Sequence, residues 1–190
     1  SSVCGLKEGD QISVMDLLYG LLLESGNDAA IALAEHCSGS VEAFADLMNQ
    51  TAAKLGATQS NFVNPSGYPD ENHYTTIYDM YLIFSNAISL ESFVTIINSA
   101  DHDASYTNAS GNAVNVKFSN TCGYLSGAYE APDGVNVVGG KTGTTHDAGY
   151  CLVLYSTNSD NERIISIVYK ADGKSNLYLF MNELVSGFAN

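Results

Sequence analysis

At 190 residues, with 45% hydrophobic and 15% charged residues, the chain can bury one sizeable core and is short for two. Its 7 Lys and Arg face 21 Asp and Glu, giving a formal net charge of −14. Arg163 is the only arginine, and so acidic a balance argues against nucleic acid and against anionic membrane surfaces, which both need basic clusters.

The segment Ser1 to Asp10 has neither the basic region nor the apolar run of a signal peptide, and it reads as a chain entered part-way along. Val14 to Leu23 is the longest apolar stretch, but Asp16 interrupts it and it falls well short of the about 20 apolar residues that cross a bilayer. Membrane anchoring is therefore expected only through segments outside these residues. Ser13 with Asp16 predicts the start of a first helix, and Ser25 with Asp28 a second that ends at Gly39. Ser40 predicts the cap of a third, whose Val41, Phe44, Leu47, Met48 and Leu55 fall near one face before Gly56 stops it. A polar loop from Asn61 to Asn72 precedes a helix opened by Thr76 and Asp79, and a shorter helix is expected through ESFVTIIN.

From Asp103 the apolar period shortens towards two. A hairpin is expected in which Gly111-Asn112 joins ASYTNAS to AVNVKFSN. After Pro132, VNVVGGKTG, AGYCLVLYST and ERIISIVYK predict an antiparallel meander, its last two strands joined by a turn at Asn158 to Asn161. The closing helix, SNLYLFMNELVSGF, presents Leu177, Phe180, Met181, Leu184 and Val185 as a stripe for one face of that sheet. The expected class is α+β, loosely an α/β sandwich, in one domain spanning 1–190: a helical part over about 1–100, then hairpin, sheet and helix over about 103–190.

Cys4, Cys37, Cys122 and Cys151 are widely spaced and the four histidines do not cluster, so neither a metal site nor a cofactor is expected, and buried free thiols are. The chemistry concentrates elsewhere. In GGKTGTT, residues 139–145, one of the scarce cations sits between glycines that let a ligand approach the backbone. Alone, this is also how a glycine-weakened strand end with a solvated lysine reads, and Ser25-Gly26-Asn27 alone reads as an ordinary helix cap. Together, SxN followed much later by KTG on a strand forms two-thirds of the set SxxK, SDN or a relative, and KTG.

Three stretches carry the likeness further: GLKEGDQISVMDLLYGLLLESGNDAAIALAEH, FVNPSGYPDENHYTTIYDM and GGKTGTTHDAGYCLV. On them the sequence resembles the serine D-alanyl-D-alanine carboxypeptidases, the low-molecular-weight penicillin-binding proteins, over almost its whole length. The resemblance implies a β-lactamase/transpeptidase-like fold. It also implies acyl transfer on peptidoglycan stem peptides in the bacterial cell envelope, outside the cytoplasm, and reaction with β-lactams by the full-length protein. Carried over, Ser25 relays a proton to the leaving amine, and Asn27 holds the substrate amide and orients the catalytic lysine. Lys141 and Thr142 recognise the terminal carboxylate, Gly143 keeps the strand edge open, and the Thr144 N–H is one donor of the oxyanion hole.

The SxxK serine and lysine should precede SGN and are not among these residues. Thr51 before Lys54 and Cys4 before Lys7 have the spacing but lie at the wrong place in the order. The domain is therefore expected to be N-terminally incomplete and inactive as it stands, with a sheet edge left open along ERIISIVYK. A peptidoglycan-binding module that has lost SxxK is the rival expectation, and a β-lactamase-related hydrolase the third. His73 is expected to be a structural hydrogen-bonding residue. His146 is read either as an exposed loop residue or as a substrate contact.

Overall fold

The computed structural model describes residues 2–189. It opens with helices α1 (Val14–Leu23), α2 (Asn27–Ser38) and α3 (Val41–Lys54). Helices α4 (Ile77–Ala87) and α5 (Glu91–Asn98) follow a long loop. The remainder comprises β1 (Asp101–Thr107), β2 (Ala113–Ser119), β3 (Asn136–Thr145), β4 (Gly149–Thr157), β5 (Arg163–Ala171) and α6 (Lys174–Ser186). The class is α+β, as the order of periodicities predicts.

The expected caps form at three helices: Ser13, Ser40 and Thr76 each accept the backbone N–H three residues on. Gly39 ends α2 at φ 81°, a conformation that costs glycine nothing. Ser25 departs from this pattern. Gly26 takes the N-cap position of α2 without a side-chain cap, and Ser25 lies one residue earlier at φ 61°.

Two buried faces are corrected. In α3 the buried residues are Ala45 and Ala52, while Leu47, expected on the same face as Phe44 and Met48, is 42% exposed. In α6 the buried set is Leu177, Tyr178, Met181 and Val185, with Phe180 and Leu184 on the open side. Tyr178 can be buried because its hydroxyl has a buried partner, accepting the N–H of Gly123. The hairpin loop is also longer than expected: Thr107 pairs with Ala113, so five residues turn the chain. Asn108 closes the loop by accepting the N–H groups of Ser110 and Asn112 through its side chain.

Strands β3-β4-β5 form an antiparallel meander in that order. Its central strand is buried on both faces, and alternation sends its side chains to two different cores. Leu152 and Leu154 join Leu177, Met181 and Val185 under α6, while Val153 and Tyr155 join Phe84 of α4 and Ile97 of α5. A two-stranded sheet, β1-β2, packs Ala104 and Phe118 against Leu23 of α1. Both β3 and β5 lie at sheet edges with no further strand among the described residues.

Gly139 shows why β3 carries paired glycines ahead of Lys141. A Cβ there would lie 2.7 Å from the carbonyl oxygen of Ile97, so the bare backbone lets the end of α5 rest against the strand.

Candidate active site

Loop 2–6 and the start of α2 come together through one carboxylate. Asp28 accepts the N–H groups of Cys4 and Ala29 on Oδ1 and those of Gly5 and Leu6 on Oδ2, at 2.8–3.0 Å. Gly26 N–H donates to the Gly20 carbonyl and Asn27 N–H to that of Ser2. These bonds fix the tight turn in which Ser25 adopts the left-handed backbone, a conformation that costs a non-glycine residue roughly 1–2 kcal/mol. The Asp28 carboxylate thus braces the turn from the loop side, which is not the capping role its spacing implies.

The turn lifts the Ser25 hydroxyl towards β3. Lys141 Nζ donates to Ser25 Oγ at 2.6 Å and to the Thr142 carbonyl at 2.9 Å, across a sequence separation of 116 residues for the first bond. Enclosure of the ammonium lowers the Lys141 pKa to about 8. Thr142 is bonded on its other side, Oγ1 to Oγ1, to Thr121 at 2.8 Å.

Ser25, Asn27, Lys141, Thr142, Gly143 and Thr144 all line one cleft of about 860 Å³. A Cβ on Gly143 would meet no protein atom within 4 Å, so the missing side chain leaves open space at the strand edge. Among the described residues no group of three or more His, Cys, Asp or Glu side chains converges as metal ligands would.

Other candidates separate from the cleft. Thr51 is exposed on α3 and donates its hydroxyl to the Leu47 carbonyl. Cys4 packs against Gly20 and Gly26, and burial, reinforced by Asp28 and Glu24, pushes its thiol up to about 12, which leaves it protonated. Both have the wrong surroundings for a nucleophile. His73 Nδ1 accepts the Val63 N–H, and burial lowers its pKa, so it is a neutral structural residue. The His146 side chain is fully exposed and pairs with Asp147, and it does not line the cleft. All four cysteines are free, but only Cys122 is buried; Cys4 and Cys151 are half-buried and Cys37 is exposed, which corrects the expectation of buried thiols.

The cleft also contains residues that the sequence did not point to. Lys174, at the first position of α6, supplies a second cation, and Thr121 and Tyr68 line other parts of the wall. Lys174 had one signal, its scarcity as one of 7 basic residues. Thr121 had none.

Helices on both faces of an antiparallel sheet, with SxN at a helix turn and the KTG lysine bonded to the SxN serine in one cleft, place two members of the SxxK, SxN and KTG set together. The chain belongs to the D-alanyl-D-alanine carboxypeptidase family, whose pattern it matches over residues 1–173. It is 35% identical over 167 residues to D-alanyl-D-alanine carboxypeptidase DacF of Bacillus subtilis, covering 87% of this chain and 40% of that one. It is 38% identical over 171 residues to the enzyme DacC of Escherichia coli, covering 90% and 39%. The chain thus spans about two-fifths of the length of these curated relatives.

Among solved structures, the Streptomyces K15 DD-transpeptidase superposes with a TM-score of 0.89 at 30% identity, covering all of this chain and 73% of that one. Penicillin binding protein 5 of Haemophilus influenzae does so at 0.85 and 36%, covering all of this chain and 52% of that one.

Proposed function

We propose that residues 1–190 form one partial catalytic domain of a serine D-Ala-D-Ala carboxypeptidase acting on peptidoglycan stem peptides outside the cytoplasm. In this reading the chain supplies carboxylate recognition and proton transfer, and an SxxK segment outside these residues supplies the nucleophile. The observation that carries it is the 2.6 Å bond from Lys141 Nζ to Ser25 Oγ, which joins the two motifs inside one cleft.

The chemistry follows from the geometry. The terminal carboxylate of D-Ala-D-Ala meets the Lys141 ammonium and the Thr142 hydroxyl, charge-assisted donors that offset the approach of an anion to an acidic protein. The SxxK serine attacks the penultimate carbonyl as the SxxK lysine takes its proton, and the tetrahedral oxyanion takes the Thr144 N–H as one of its donors. As the C–N bond breaks, Ser25 gives its proton to the departing D-alanine nitrogen and regains one from the catalytic lysines, Lys141 being its bonded partner. Water then cleaves the acyl-enzyme. Asn27, at the first position of α2 and lining the same cleft, holds the substrate amide. β-Lactams enter the same route, since their carboxylate and strained amide mimic the peptide terminus.

The test is covalent labelling by a fluorescent penicillin. The 190-residue chain is expected to remain unlabelled, and a polypeptide carrying SxxK ahead of it to be labelled at that serine. Labelling of the 190-residue chain at Ser25 or Thr51 would overturn this division of roles. Failure of the whole gene product to label, with retained binding of the peptide, would favour a non-catalytic peptidoglycan-binding module.

A further inference from the structure

The Thr121–Thr142 hydroxyl pair has a geometry that the two motifs do not account for. Two hydroxyls 2.8 Å apart share one hydrogen bond, and either can donate it. The direction matters. If Thr142 donated to Thr121, its lone pairs would face the cleft and repel a carboxylate; if Thr121 donates, the Thr142 proton is free to point at the ligand. Among the described residues the Thr121 hydroxyl has no hydrogen-bond partner other than Thr142.

Thr121 is also held in place more firmly than a loop residue need be. Its N–H donates to the Leu23 carbonyl, two residues before Ser25. The side chain of its neighbour Asn120, itself buried, donates to the Ser99 and Ile97 carbonyls and accepts the N–H of Cys122. Cys122 is fully buried under α6. The segment 120–122 is thereby tied to α1, to the end of α5 and to the core, and it presents one hydroxyl to the KTG strand.

We infer that Thr121 is a positioning residue for carboxylate recognition: it donates to Thr142 and so fixes the Thr142 hydroxyl as a donor into the cleft. The hydrogen-bond chain runs from Thr121 to Thr142 to carboxylate, and donation into Thr142 polarises its own O–H, which strengthens the outer bond. This deepens the proposed function and rests on its reading of Thr142 as a carboxylate donor.

The test is a double-mutant cycle on the 190-residue chain, which in that reading binds peptide without turning it over. The dissociation constant for an N-acetylated peptide ending in D-Ala-D-Ala is measured by NMR titration for wild type, Thr121→Val, Thr142→Val and the double variant. Thr121→Val is expected to weaken binding about tenfold, the scale of one hydrogen bond. In the Thr142→Val background it should have no further effect, and Thr121→Ser should restore wild-type affinity. A change under twofold for Thr121→Val, or additive losses in the double variant, would overturn the inference while leaving the carboxylate reading intact. If Thr142→Val itself binds as wild type does, the carboxylate reading falls first and the inference with it.

Discussion

Lys141 is charged in the environment least suited to a charge. Its pKa falls to about 8 because its ammonium is enclosed, whereas in the unfolded chain it would titrate near 10.5. Below about 8 both states hold the proton and the cost of enclosing it is fully present. Between about 8 and 10.5 the unfolded state binds more protons than the folded one, so this lysine makes stability rise with pH across that window. Urea unfolding at pH 7.5 and 9.5 is expected to show a gain for wild type over Lys141→Met of about 1–2 kcal/mol. Taking the difference removes tyrosines such as Tyr124 and Tyr178, which burial shifts upward. An equal slope in both proteins would mean that the ammonium is solvated. In the proposed reaction the same proton binds the carboxylate, so affinity for acid substrates should fall as pH climbs through this range.

At the level of elements, the site depends on a turn between α1 and α2 that the sequence describes poorly. Ser25 followed by Asp28 has the pattern of a capping box, and local pattern recognition stops there. The structure uses Asp28 differently, because loop 2–6 brings three backbone N–H groups to it from more than 20 residues away. Asp28→Ala is accordingly expected to cost about 3 kcal/mol, more than the loss of a cap. The amides of Cys4, Gly5 and Leu6 should lose hydrogen-exchange protection before those of α3 do. Protection lost evenly throughout would show that the turn is not held by this carboxylate.

The same contrast explains what is legible elsewhere. Helix α5 runs over ESFVTIIN as expected, and the meander follows its turns, because periodicity and capping are local. Leu47, Phe180 and Leu184 escape a hydropathy reading because burial depends on which helix or strand packs opposite, and hydropathy alone does not say. Lys141 and Ser25 can be paired through their motifs, but Thr121 and Lys174 reach the cleft only through the fold.

On the scale of the whole molecule, a net charge of −14 surrounds a cleft lined by two lysines. The two fields have different ranges. At about 10 mM salt the Debye length is about 30 Å, so an approaching carboxylate feels the charge of the entire body; at about 150 mM it is about 8 Å, and only nearby groups such as Lys141 and Lys174 act on it. Salt therefore removes the long-range repulsion first and leaves the local attraction largely in place. The association rate of N-acetyl-D-Ala-D-Ala, read from NMR line shapes, is expected to rise about two- to fivefold across that range of ionic strength. The C-terminal amide of the same peptide, which carries no charge, should show no such increase. A rate that falls with salt for the acid alone would mean that the two lysines govern approach even at long range, and that the acidic residues lie too far from the cleft mouth to oppose them.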